Sequence, residues 1–111
     1  MSLTLPKIWA GIEIGWPEEN PPDDECIEAA TRLLEAIWGQ IPLPKRASRG
    51  YWQTVYFDWN EGVIGLETTW SKYEVYIFKP GKEFDVWDYE VSQPDALSDL
   101  VKHLSHLVET R

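Results

Sequence analysis

Four stretches of aromatic and β-branched residues, separated by short turns, fill residues 51–91. Residues of these types are enriched in β-strands. The joints between the stretches are short and turn-forming, as at Asn60-Glu61-Gly62 and Pro80-Gly81, and such joints make neighbouring strands antiparallel. The pattern therefore predicts an antiparallel sheet with strands at Tyr51–Trp59, Val63–Trp70, Tyr73–Lys79 and Glu83–Val91.

Two helices are expected to flank this sheet. Asp23 or Asp24 can cap the first one, and apolar residues then recur at helical spacing until Gly39 ends the segment. The second helix begins near Pro94 and carries a broad apolar stripe. Both helices are therefore expected to pack against the sheet.

The chain before the first helix predicts one more strand. Ile8–Ile14 is apolar and β-branched, although Gly11 weakens it. Residues 40–50 contain two prolines and a local excess of bases, which predicts an exposed connecting loop. The whole chain of 111 residues is thus expected to form a single α+β domain of about five strands, in the order β-α-β-β-β-β-α.

The charge balance limits the partners of the chain. It has 10 basic and 19 acidic residues, a net charge of −9, so polyanions such as nucleic acids and anionic membranes would be repelled. A basic protein partner is favoured. The densest acidic cluster could steer association with a basic groove, or could simply be a solvated helix start, and it comprises Glu18, Glu19, Asp23, Asp24, Glu25 and Glu28.

Aromatic side chains are the second set of candidates. Alternation predicts a core face with Val55, Phe57 and Trp59, and an opposite face that also carries aromatic rings. Its expected members are Trp52, Thr54, Tyr56, Tyr76 and Phe78, joined by either Phe84 and Val86 or Trp87 and Tyr89. If each helix covers one face, these rings merely pack. If both helices share a face, the rings form an interface.

Two of the seven tryptophans, Trp16 and Trp52, flank loops and are expected to be exposed. Tryptophan and tyrosine are frequent at binding hot spots. The aromatic residues predicted to contact a partner are Trp16, Trp52, Tyr56, Tyr76 and Trp87.

No catalytic motif is present in the sequence. His103 and His106 have spacing suited to a metal but lack further ligands, and Asp85 would point away from Asp88 and Glu90 on a strand. No phosphate-binding loop or nucleophile elbow is found. We therefore predict no catalytic residue, no metal site and no cofactor, and do not expect an enzyme.

The single Cys26 cannot form an internal disulfide, and no apolar run is long enough to span a membrane. The first residues also lack the pattern of a secretion signal. A cytoplasmic protein is expected.

A stretch in the sheet region resembles a known family. Asp58–Thr68 (DWNEGVIGLET), followed by Tyr73–Ile77 (YEVYI), is similar to the hairpin region of small immunity proteins from bacterial polymorphic-toxin systems. Trp87, ahead of a final helix led by Pro94 and Leu97, extends the similarity over the C-terminal half. The resemblance implies a cytoplasmic neutraliser of a toxin rather than an enzyme, and it transfers no specific binding residues.

The leading hypothesis is a small acidic inhibitor, an immunity protein that blocks the basic site of a toxin, in particular a nuclease. An alternative is a phage-derived anti-defence protein, similar to an anti-CRISPR that mimics nucleic acid. A different class is a small enzyme or ligand-binding domain with a pocket between the sheet and the proline-rich loops. A further alternative is a subunit that forms a homodimer through the apolar sheet face.

Overall fold

The structure is a computed structural model that describes residues 5–78, 81 and 85–109. It has two helices and one mostly antiparallel sheet, which confirms the α+β class. The elements in chain order are a 3-10 turn at Lys7–Trp9, β1 at Glu13–Ile14, α1 at Asp24–Ile37, β2 at Arg46–Arg49, β3 at Val55–Trp59, β4 at Ile64–Thr68, β5 at Lys72–Ile77, β6 at Asp85–Glu90 and α2 at Ala96–Glu109.

The six strands lie side by side in chain order. β1 and β2 are parallel, because α1 carries the chain from one to the other, and all later neighbours are antiparallel. The turn between β3 and β4 confirms its predicted conformation, since Asn60, Glu61 and Gly62 all have positive φ. The sheet is therefore a meander extended by one parallel strand.

The N-terminal segment differs from the predicted strand over Ile8–Ile14. Gly11 has a φ of 92°, which interrupts an extended backbone, and only Glu13–Ile14 pairs with the sheet. Trp9 turns into the core instead, where its ring lies 5.6 Å from that of Phe57 and its indole Nε1 donates to Thr31 Oγ1 at 2.9 Å. Burial of the indole favours a compact turn over a longer strand.

The predicted loop at residues 40–50 contains β2, so the sheet has six strands instead of about five. Ala47 is fully buried opposite Phe57, while the flanking Arg46 is exposed. A short strand with one small apolar residue lacks a visible alternation of polar and apolar residues. The neighbouring prediction was also too long, because β3 begins at Val55 and Tyr51 and Trp52 lie in a bend before it.

Both helices pack on the same face of the sheet. The predicted core residues Val55, Phe57 and Trp59 lie there, with further apolar residues of β4 and β5 opposite them in register. α1 lies over β3 and β4, α2 lies over β6, and the helices contact each other. Their buried contributions are Leu33, Leu34, Ile37, Leu100 and Leu104. All strand residues in the described core lie on this helix-bearing face.

α2 is held to β6 by an aromatic contact. The Tyr89 hydroxyl lies 2.6 Å from Nδ1 of His103, and the His103 ring lies edge-on to Trp87 at 4.9 Å. Burial, and secondarily the charge of His106, lowers the pKa of His103 below its ordinary 6.5.

Neither helix, over the described residues, is long and apolar enough to cross a membrane.

We expect acid to destabilise the fold through His103. The His103 imidazole binds a proton more readily in the unfolded chain than in the folded chain. Its contribution to the free energy of unfolding is therefore fully present above about pH 6.5 and is lost as the pH falls below that value. Urea unfolding between about pH 5 and pH 8 should show this loss, and His103→Gln should make it shallower. His106→Gln should keep most of it, because burial is the larger cause. Identical profiles for the wild type and H103Q would contradict this account.

Candidate functional site

Over β3 to β6, the face of the sheet turned away from the helices is strongly acidic. Alternation along β3 to β6 places five carboxylates, one lysine and several apolar or aromatic side chains there. We call this surface the acidic sheet face, and it comprises Tyr56, Asp58, Glu67, Lys72, Glu74, Tyr76, Phe78, Val86, Asp88 and Glu90.

Three carboxylates of this face lie in one row. Glu67 of β4 is directly opposite Glu74 of β5, which is directly opposite Asp88 of β6. Neighbouring strands are about 4.8 Å apart, and like charges that face each other destabilise a sheet. The row is thus unfavourable for stability alone. Local conflicts of this kind concentrate at functional sites.

Two neighbours fix the row in place. Lys72 Nζ lies 3.6 Å from Glu74 Oε2 and 3.4 Å from Asp88 Oδ2, and the charge of Asp88, followed by that of Glu74, raises the pKa of Lys72. At the other end the fully buried Thr54 donates its hydroxyl to Glu67 Oε2 at 2.5 Å. One ammonium cannot neutralise three carboxylates, so a net negative charge remains at defined positions.

Two tyrosines lie beside the row. Burial first, then the charges of Glu74 and Glu67, raises the pKa of Tyr76 to about 12, and burial with the charge of Asp58 also raises the pKa of Tyr56. Both phenols therefore stay protonated at neutral pH and can donate hydrogen bonds. The Tyr76 ring also stacks on Phe78, with centroids 6.0 Å apart. The face combines fixed acids with flat rings, and a guanidinium group can contact both.

Gly65 determines how Tyr56 lies on the face. A Cβ at Gly65 would overlap the Tyr56 hydroxyl and would lie 3.2 Å from Cε2 of Phe78. The Tyr56 ring therefore crosses directly above the Gly65 backbone. This close approach needs glycine and orients the phenol toward the centre of the sheet.

The predicted acidic cluster lies at one end of the sheet, apart from the row. The Asp23 N–H donates to the carbonyl of Gln53 at 2.9 Å, and its carboxylate accepts from Trp70 Nε1 at 2.5 Å. Glu28 pairs with Arg32 at 3.1 Å. Asp23 therefore ties the loop at Gln53 and Trp70 to the start of α1, whereas the other five members are exposed, namely Glu18, Glu19, Asp24, Glu25 and Glu28.

The predicted aromatic residues separate into three places. Tyr56 and Tyr76 lie on the acidic sheet face as expected. Trp52 is 62% exposed, as expected, and its ring lies edge-on to Tyr51 at the end of the sheet. Trp16 is instead half-buried against Trp9, with ring centroids 5.8 Å apart, because the loop needs an anchor.

Trp87 does not join Tyr56 and Tyr76. It pairs with Val75, a core residue, so its side chain lies on the helix-bearing face beside His103. Val86 occupies the acidic sheet face instead, which decides between the two predicted alternatives for this strand, and Phe84 lies outside the described residues.

The carboxylate row was not predicted from the sequence. Each of β3, β4 and β5 carries acids at positions that alternate with its core residues, and this was the available signal. Only the register shows that Glu67, Glu74 and Asp88 are neighbours. Trp70, which is 46% exposed, was also missed.

Two open grooves lie on the described surface, one of them away from the acidic sheet face and the other at its β6 edge. One, of about 520 Å³, is lined by Lys7, Ile8, Ala10, Glu35 and Trp38. The other, of about 490 Å³, is lined by Asp88, Tyr89, Glu90, Gln93, Pro94, Asp95, Ala96 and Asp99. Within residues 5–78, 81 and 85–109, no group of three or more metal-ligating side chains could hold an ion.

Comparisons with protein-family models, curated proteins and solved structures found no match to this chain. A possible ligand of the acidic sheet face can therefore be inferred only from the chemistry of that face. That chemistry is a row of carboxylates, two protonated phenols and a small apolar margin.

Replacing Lys72 by Gln should destabilise the protein at low salt, because the three carboxylates then repel without a counter-charge. At about 1 M salt, where charges are screened beyond about 3 Å, the difference from the wild type should largely disappear. Thermal unfolding at both salt concentrations measures this. Lys102→Gln, which removes a charge from an exposed position of α2, is the matched control. An equal loss in both variants would contradict a role specific to the row.

Gly65→Ala should cost about 1–3 kcal/mol of unfolding free energy, because the new methyl group forces Tyr56 aside. In a Tyr56→Ala background the same change should cost much less. The double-mutant cycle, measured by denaturant unfolding, isolates this contact. Equal costs in both backgrounds would show that the backbone, and not the ring, requires glycine.

Proposed function

We propose that this chain is an inhibitory binding protein whose acidic sheet face covers the basic, nucleic-acid-binding site of a toxin. In this proposal it acts as an immunity protein, and the toxin is a nuclease. The observation that carries the proposal is the in-register row of Glu67, Glu74 and Asp88 on a sheet face that neither helix covers.

Charge explains why such a face suits a basic site. A nuclease binds phosphates through lysine and arginine side chains. A carboxylate row offers those side chains negatively charged acceptor oxygens in place of the phosphates. A net charge of −9 would also speed encounter with a basic surface and would repel nucleic acid itself. The protein would thus compete for the site without binding the substrate.

Pre-organisation supports the same role. Thr54 holds Glu67, and Lys72 holds Glu74 and Asp88, so the carboxylates lose little freedom when a partner arrives. Tyr56 and Tyr76 add flat surfaces on which a guanidinium group can stack. Phe78 and Val86, exposed by 39% and 48%, provide the apolar area at the margin.

A cytoplasmic site of action belongs to this proposal. Burial, with Asp23 and Glu25 adding to it, raises the pKa of the Cys26 thiol to about 12. The thiol is therefore protonated and unreactive, as a structural cysteine in a reducing compartment would be.

The experiment is co-expression of the chain with the product of the adjacent gene, followed by co-purification and a nuclease assay. We expect a basic partner in a complex that dissociates as salt rises from about 0.15 to 0.5 M, and we expect its nuclease activity to be inhibited. Recovery of no basic partner at low salt, or a complex without inhibition, would overturn the proposal.

Two variants of equal charge change locate the site. Glu67→Gln with Glu74→Gln should weaken the complex roughly tenfold or more, whereas Glu18→Gln with Glu19→Gln should change it little. Calorimetry or interferometry at fixed salt gives both dissociation constants. A loss confined to the second pair would move the site to the predicted acidic cluster, and an equal loss in both would indicate unspecific attraction.

A further inference from the structure

β6 is the last strand of the sheet, and its six residues pair only with β5. Next to this ladder, the Val91 N–H donates to the Ser71 carbonyl at 2.8 Å. Because hydrogen-bonded and non-hydrogen-bonded pairs alternate, the N–H and C=O groups of Val86 and Asp88 point away from β5. No strand in the described part of the chain meets them. The backbone N–H and C=O groups of Val86 and Asp88 are therefore available for pairing with a further strand at this edge.

The composition of this edge discriminates between occupants. Asp85, Asp88 and Glu90 make half of β6 acidic, and the strand contains no base. Antiparallel pairing of two copies of β6 would bring acids together, which opposes a homodimer at this edge. The exposed side chains of Val86 and Trp87 nevertheless offer apolar contact on the two faces of the strand. The edge thus favours a basic strand over a second copy.

A polar groove continues this edge toward α2. It has a volume of about 490 Å³, and four of its lining residues are the acids Asp88, Glu90, Asp95 and Asp99. Among the described residues, no base lines it. A strand that paired with β6 would run directly past this groove, and one of its cationic side chains could enter it.

We propose that the outer edge of β6 adds an extended basic segment of the partner as a seventh strand. The backbone groups of Val86 and Asp88 pair with the segment, and the groove at Asp95 and Asp99 receives one of its lysine or arginine side chains. Main-chain pairing provides affinity in this mode, and side-chain sites provide selectivity. This inference rests on the proposed function and specifies the element of the partner that is bound.

A pair of peptides tests the edge without a known partner. The probe is a blocked hexapeptide of alternating lysine and valine. Its control is the same peptide N-methylated at every peptide bond, which keeps the charge but removes the N–H donors that a strand ladder needs. At low salt, the unmethylated peptide should shift the amide resonances of β6 and slow hydrogen exchange at Val86 and Asp88. The methylated peptide should bind at least roughly tenfold more weakly than the unmethylated peptide. Equal binding of both peptides, or no binding of either, would overturn the inference.

Variants of the full-length chain test the same point. Val86→Pro removes an outward N–H that β5 does not use, which edge strands tolerate, and Val86→Ala controls for the side chain. V86A measures what loss of the exposed side chain alone costs, and we expect V86P to weaken peptide binding roughly tenfold more than V86A does. Asp95→Asn with Asp99→Asn should reduce binding of the lysine peptide, whereas the Glu18 and Glu19 pair should not. If V86P does not fold, the methylated peptide still decides the question.

The partner distinguishes this inference from the function on which it rests. If the complex weakens with Glu67→Gln and Glu74→Gln but is unchanged by V86P, the partner binds through side chains and the edge inference is wrong. If it is unchanged by all of these variants, both proposals are wrong. Weakening by both sets supports strand addition next to the carboxylate row.

Discussion

The packing of both helices on one face of a single sheet is the constraint on which the rest of this structure depends. It collects the large apolar residues of β3, β4 and β5 on one side, beneath α1 and α2. Each buried side chain of this kind contributes about 1.5–3 kcal/mol. The second face then needs no further cover, so its residues are free to serve a purpose other than the core. That freedom explains how the fold tolerates the row of carboxylates.

Much of this fold follows from local signals in the sequence. The turn between β3 and β4, the start of α1 after Pro21 and Pro22, and the period-two alternation of β3 and β5 each depend on neighbouring residues only. β2 and the 3-10 turn could not be predicted in this way. Ala47 is a strand residue because Phe57 lies opposite it, and Trp9 leaves the sheet because Phe57 and Thr31 receive its ring. Both outcomes depend on contacts between residues distant in sequence.

The candidate site shows the same division. Tyr56 and Tyr76 could be placed on the open face by alternation within their own strands. The row of Glu67, Glu74 and Asp88 could not, because each acid is ordinary in its strand and only the register makes them neighbours. Trp87 was the opposite case, a residue type typical of interfaces that the register turns toward α2. The dense acidic cluster of the first helix was conspicuous in sequence, yet part of it serves to tie down a loop.

Lys72 gives the acidic sheet face an occupant of its own. Its ammonium group already shares the carboxylates of Glu74 and Asp88, so any incoming cation must compete with a tethered one. A lone lysine gains little from such an exchange, whereas a surface that presents several guanidinium groups can displace the ammonium and also reach Glu67. In the proposed complex, the tethered lysine would therefore set a threshold for binding. Weakly basic proteins would fall below that threshold, and only a densely basic surface would exceed it.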